Sequence, residues 1–139
     1  MTIREVGDDD VEVVVALWRD CGLTRPWNDP HADVAAARRN PTSTVLVALD
    51  ESSAVVGTAM AGYEGHRGWL YYVAVAPGLQ GTGLGRRVVA AAEAWLQDAG
   101  AAEVRLMVRT SNARVLGFYA RLGYTDREAT VLGRSLPSR

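Results

Sequence analysis

The sequence predicts one α/β (α+β) domain over residues 1–139, a mixed and mostly antiparallel sheet flanked by helices. Three observations predict it. Two runs rich in β-branched residues, Thr44 to Leu49 and Ala54 to Tyr63, meet across the polar turn Asp50-Glu51-Ser52-Ser53, the pattern of a hairpin. An apolar run, Trp69 to Ala76, passes through a glycine-rich loop into a helix-spaced segment, Leu84 to Ala99, and then into the alternating run Val104 to Arg109. Strands joined by such a crossover helix pair in parallel. At 139 residues, 48% apolar and with a net charge of −1, the chain can bury one sizeable core and is globular.

The elements follow in order. Thr2 to Val6 alternates polar and apolar residues, a short strand. Asp8-Asp9-Asp10 supplies an N-cap and acidic first-turn residues. Val11, Val14, Val15 and Trp18 then share one helical face, and Gly22 stops that helix. Asp29-Pro30 starts a second helix, with Asp as cap and Pro in the first turn, running to about Arg39. The hairpin comes next. Gly62 to Gly68 turns the chain into the strand at Trp69. Val88, Ala91, Ala92, Trp95 and Ala99 mark a long amphipathic helix that Gly100 ends. After the strand Val104 to Arg109, Thr110-Ser111-Asn112 caps a short helix whose face carries Val115, Phe118, Tyr119 and Leu122, with Gly123 as its stop. Tyr124 to Arg127 and Thr130 to Leu136 read as a closing antiparallel pair. The expected order is β-α-α-β-β-β-α-β-α-β-β.

Composition narrows the function. All 15 basic residues are arginine, scattered along the chain, with no basic stripe for nucleic acid. Cys21 is alone, so no internal disulfide can form, which fits a reducing compartment. His31 and His66 are the only histidines, and no cluster has zinc spacing, so no metal is expected. No leader pattern and no apolar run of membrane-spanning length is present, so a cytoplasmic protein without a membrane partner is expected.

The loop Gln80-Gly81-Thr82-Gly83-Leu84-Gly85, followed by Arg86, sits between strand and helix. Amides at a helix start lack partners within the helix and carry the positive end of its dipole. Glycines let a phosphate come close, so the loop reads as an anion cradle; an ordinary tight turn is the competing reading. A Walker A loop is excluded because the chain has no lysine. A dinucleotide fingerprint is excluded because Arg86 stands where the third glycine belongs.

What remains, Gln80-x-x-Gly83-x-Gly85 after Val73-Ala74-Val75-Ala76-Pro77, resembles the acyl-CoA loop of the GCN5-related N-acetyltransferase (GNAT) superfamily. A second stretch, Asn112 to Tyr124, is similar to that family's Asn-x-x-Ala-x-x-x-Tyr-x-x-x-Gly-Phe pattern, with Val115 in place of the small residue. The element order resembles the GNAT fold over essentially the whole chain, which implies that the central parallel pair is splayed. Arg25 to Pro30, Gly62 to Gly68 and Tyr71-Tyr72 resemble the small bacterial YpeA-like acetyltransferases.

The resemblance implies acetyl-CoA as co-substrate and assigns roles. Gln80, Gly81, Thr82, Gly83, Leu84, Gly85 and Arg86 would hold the pyrophosphate. Val73, Ala74 and Val75 would offer backbone groups to the pantetheine, a peptide-like chain that can pair with a strand edge. Asn112 would contact the same arm, or serve as a plain helix cap. Tyr119 would be the catalytic acid that protonates the leaving thiolate, or else a core aromatic. Trp27, Asn28, Asp29 and Tyr72 would wall the acceptor pocket; the competing reading of that loop is an anchor in which Trp27 packs and Asp29 caps.

The general base is the open point. The two positions where well-studied relatives carry a glutamate are Trp69 and Met107 here. A small-molecule amine is therefore favoured over a peptide or protein amine. A water relayed through Tyr72, Glu64, His66 or Asp29, or capture of the neutral amine, could serve instead. Cys21, far in sequence from both motifs, argues for direct transfer in a ternary complex over an acyl-cysteine intermediate. A non-catalytic acyl-CoA-binding or sensing module, and a domain keeping only the fold for protein contacts, are the alternatives. Apolar C-terminal strands permit a homodimer.

Overall fold

A computed structural model describes residues 1–138, which fall into two compact units, 1–107 and 108 onward. The first unit holds a five-stranded sheet in the order β1 (Thr2–Glu5), β2 (Ser43–Leu49), β3 (Val55–Tyr63), β4 (Gly68–Val75) and β5 (Val104–Leu106). Every neighbouring pair is antiparallel except β4 with β5, which is parallel. Three helices belong to this unit: α1 (Val11–Asp20), α2 (Pro30–Arg39) and α3 (Leu84–Ala99).

Two apolar layers hold the sheet. Val45, Val47 and Leu49 of β2 pack with Val14, Leu17 and Trp18 of α1 and Val34 and Ala37 of α2. Strand alternation puts Leu46 and Ala48 on the other face, and both are buried. There a Cβ on Gly57 would stand 3.1 Å from Val88 of α3, and one on Gly68 would stand 3.0 Å from Leu96. Glycine at these two positions lets α3 lie close to β3 and β4. β2 is thus buried on both faces, which explains its continuous apolar run.

The caps are legible in the residues. Asp10 accepts from the Gly7 amide at 2.7 Å and pairs with Arg4 at 2.6 Å, and this pairing holds its carboxyl below the ordinary range. Asp29 accepts from the Ala32 amide at 3.2 Å and starts α2, with Pro30 next. Gly100 ends α3 with φ +112°.

The second unit contains α4 (Ala113–Arg121), capped by Asn112, whose side chain accepts from the Val115 amide at 3.2 Å. Tyr119 lies on it, edge-on to Tyr124 with ring centroids 5.5 Å apart. Two strand expectations are corrected. β5 stops at Leu106 rather than Arg109, and Tyr124 to Arg127 and Thr130 to Leu136 form no strands. Alternation makes a strand only where a neighbour offers a hydrogen-bond ladder. Val131, Leu132 and Leu136 are instead 67%, 89% and 82% exposed. No helix among the described residues is long and apolar enough to cross a membrane.

Candidate functional site

β4 is the spine of the site. Its first half, Gly68 to Leu70, pairs with Val104 to Leu106 of β5. The ladder ends there, while β4 runs on to Val75. Among the described residues no strand continues that pairing, so Tyr71 to Val75 offer a free edge. On the other side β4 stays paired with β3, but with a bulge: Thr58 pairs Ala74, and Met60 already pairs Tyr71. Tyr72 and Val73 therefore share the place opposite one residue, Ala59, and Tyr72 takes φ +49°. This backbone is costly for a bulky residue and needs support from its surroundings.

That support is visible. The Thr58 hydroxyl donates to the Tyr72 carbonyl at 2.9 Å and accepts from the Trp18 indole N–H, also at 2.9 Å. The Trp18 and Tyr72 rings stack, with centroids 3.8 Å apart and planes 8° from parallel. The Tyr72 hydroxyl donates to Asp33 Oδ2 of α2 at 2.7 Å. Burial, reinforced by the Asp33 carboxylate, pushes the Tyr72 phenol well above its ordinary range. It is a fixed donor, not a base.

Beyond the bulge, the Ala76 amide donates to Val56 of β3 at 2.8 Å. Backbone groups alternate along a strand, so those of Val73 and Val75 turn to the free edge. The Val75 carbonyl receives the Cys21 thiol at 3.3 Å. Sequence separation misled here, since Cys21 lies beside the strand that the motif marks. Burial raises the thiol's pKa, so it is held in the protonated, less nucleophilic state.

A single 3-10 turn, Pro77–Leu79, leads to the loop. Thr82 Oγ1 donates to the Leu79 carbonyl at 2.5 Å and closes it. Gly81 and Gly83 have φ +82° and +87°, and a Cβ on either would meet nothing within 4 Å. Glycine is needed there for the backbone, and the space before it is open. Gly83 is the N-cap of α3 and offers no side-chain cap, so the amides of Leu84, Gly85 and Arg86 have no partner within the helix. Leu84 is buried and anchors the helix start, while Gln80, Gly81, Thr82 and Arg86 are exposed. The loop and the free edge fit an acyl-CoA: open glycines and spare amides for phosphates, outward backbone groups for amides.

A cavity of about 540 Å³ opens between α2 and the β3–β4 sheet. Asn28 and Tyr72, two of the residues that the resemblance puts around an acceptor, line it. So do Asp33, Met60 and Tyr71, which sequence reasoning missed. Asp33 was hidden because an acid in a first helical turn is ordinary dipole chemistry. Trp27 is 75% exposed and is not among the lining residues, so it neither packs nor walls this cavity; Asp29 serves as the α2 cap.

The candidate bases are occupied elsewhere. Glu64 accepts from the amides of Arg67 and His66, and these bonds hold its carboxyl below the ordinary range. His66 contacts the Arg67 guanidinium. Trp69 is half-buried in β4, and Met107 is 50% exposed. In the second unit, Tyr119 is buried, and this pushes its phenol up to about 12. Asn112 caps α4 there.

The model of the acetyltransferase (GNAT) family matches residues 12–124, across both units. The chain is 38% identical over 136 residues to Acetyltransferase YE1169 of Yersinia enterocolitica, covering 98% of this chain and 96% of that one. A putative acetyltransferase from Agrobacterium tumefaciens shares the fold with a TM-score of 0.81 at 23% identity, over 97% of this chain and all of that one. The aminoglycoside acetyltransferase AAC(6')-Iy, solved with a bisubstrate analogue built on CoA, shares it with a TM-score of 0.83 at 18% identity, over 98% of each chain.

Proposed function

The chain belongs to the acetyltransferase (GNAT) family and is an N-acetyltransferase, and from that premise we propose that it moves an acetyl group from acetyl-CoA to a primary amine of a small molecule by direct transfer in a ternary complex. The observation that carries this reading is the free edge of β4 from Tyr71 to Val75, followed in the chain by the uncapped start of α3. Peptide-like amides suit the first and a pyrophosphate the second. Acetyl-CoA supplies the activated thioester.

In this reading Gln80, Gly81, Thr82, Gly83, Leu84, Gly85 and Arg86 hold the pyrophosphate, and Val73, Ala74 and Val75 hold the pantetheine. An amide at the bulge stabilises the oxyanion. The amine nitrogen bonds to the carbonyl carbon, the C–S bond breaks, the thiolate takes a proton from Tyr119, and solvent returns one to the Tyr119 phenolate. The amine's surplus proton leaves to solvent. The match of Asn112 and Tyr119 to the second family pattern supports their roles. A phenol at about 12 stays protonated at neutral pH, as a donor must. Full transfer to a thiolate whose acid has pKa about 8.5 is uphill by about 5 kcal/mol, so the proton moves only as the C–S bond breaks. The two units act as one N-acetyltransferase domain over 1–139, and the family match across both supports this.

The test is thermal unfolding with and without acetyl-CoA, followed by thiol release over a panel of amines. At a hundred times Kd, a ligand stabilises the folded state by about 2.7 kcal/mol, a visible shift in Tm. A shift with release for one amine class is expected, with Tyr119→Phe losing turnover and keeping the shift. A shift without release for any amine would favour the non-catalytic sensing module, to which the apolar Trp69 and Met107 point. No shift would sink the cradle.

A further inference from the structure

The cavity beneath α2 carries one formal charge. Among its lining residues only Asp33 has an acidic or basic side chain. Its Oδ2 is fixed by the Tyr72 hydroxyl, and its Oδ1 has no hydrogen-bond partner among the described residues. None of the ion pairs among those residues uses it. Two of the other polar groups around it are engaged: the Ser43 hydroxyl donates to the Ala37 carbonyl, and Asn40 Oδ1 accepts from Thr42, while the neutral Asn28 amide and Tyr71 hydroxyl also line the cavity. Met60, Ala36 and Ala61 supply apolar wall. A carboxylate held in one orientation, uncompensated and beside apolar surface, is complementary to an alkyl ammonium.

The ammonium it holds is not the reacting one. A nucleophilic amine must be neutral, and a fixed carboxylate against it would favour its charged form. Tyr72 separates the two places. Its backbone forms the bulge on the strand edge, while its hydroxyl reaches away from that edge to Asp33.

We infer that Asp33, held by Tyr72, is the specificity-determining residue of the acceptor pocket, and that the acceptor is a diamine-like molecule whose second, protonated amine rests on Asp33 while the first reacts. The inference rests on the transferase reading above for the reaction, but its binding half stands apart from it.

Two measurements test it. Diamines of two to six carbons are compared with 1-aminoalkanes of the same length, first by calorimetric binding to the protein saturated with CoA, then by thiol release from acetyl-CoA. The expected result is that one diamine length is preferred over its monoamine by about 10- to 100-fold, the range for a hydrogen bond to a charged group. Asp33→Asn should collapse that preference and leave the affinity for CoA as it was. Asp33→Glu, one methylene longer, should restore it with the optimum moved to a shorter diamine. A residue that only completes the first turn of α2 would not move a length optimum. Equal binding of every diamine and its monoamine, or a preference that survives Asp33→Asn, overturns the inference. Diamine binding that depends on Asp33, without thiol release, keeps the inference and overturns the transferase reading.

Discussion

Gly83 combines a backbone requirement with open space in front of it. It adopts φ +87°, it is the N-cap of α3, and the space before it is open. Gly83→Glu would place a negative side chain in that space, at a backbone geometry unfavourable to it. We expect CoA affinity to fall by at least about tenfold, the size of one opposed charge of about 1.4 kcal/mol, in a calorimetric titration; unchanged affinity would remove the loop from the site. This position was legible in the sequence because glycine spacing records a backbone requirement. Asp33 was not. The role proposed for it depends on Tyr72, 39 residues away, and on its having no ion pair among the described residues, which only the fold discloses. Cys21 was misread for the same reason, since its partner Val75 lies 54 residues on.

β4 carries the fold's main departure from regularity. Its apolar run predicted a strand, and its passage into a loop and helix predicted the parallel pairing. The bulge at Tyr72 left no mark in the pattern, because a one-residue excess in a mixed apolar run looks like more strand. The supports of the bulge converge on the Thr58 hydroxyl, which is fully buried. Thr58→Val keeps the shape but leaves the Trp18 N–H and the Tyr72 carbonyl unpaired. We expect a loss of about 2–6 kcal/mol in urea unfolding, taking one to three for each orphaned group, with a fall in kcat/KM larger than stability alone explains. A variant as stable as the parent would show that the bulge holds itself. The failed strands at 124–127 and 130–136 teach the converse lesson, that alternation permits a strand and a ladder partner makes one.

For the whole molecule, three tyrosines set the alkaline limit. Burial raises Tyr71, Tyr72 and Tyr119 above the usual phenol range. A group that holds its proton more tightly when folded contributes stability that is complete below its unfolded pKa and lost as pH rises through the folded value. For Tyr119 that window runs from about 10 to about 12. Stability should therefore be flat near pH 8 and drop by about 2–3 kcal/mol from Tyr119 alone by pH 12. Tyr119→Phe should shrink this drop in urea midpoints measured across the window. An unaltered drop would assign it to Tyr71 and Tyr72 alone. Circular dichroism and tryptophan fluorescence should report one coincident transition if residues 1–139 unfold as a single domain. The sequence anticipated the flanking helices, the hairpin and the parallel pairing because these follow from local periodicity and connection rules. It could not anticipate the cavity beneath α2, which is bounded by α2, β3 and β4 at once.

Tyr72 is tethered at three points: its carbonyl to β3, its ring to α1 and its hydroxyl to α2. A residue so fastened transmits load. An amine that settles on Asp33 tightens the same side chain whose backbone shapes the edge awaiting the thioester. With the proposed acceptor seated there, the two substrates would be energetically linked, and linkage runs both ways: the factor by which an acceptor tightens acetyl-CoA would be the factor by which acetyl-CoA tightens the acceptor. Cutting the hydroxyl tether with Tyr72→Phe would leave two substrates that no longer sense one another.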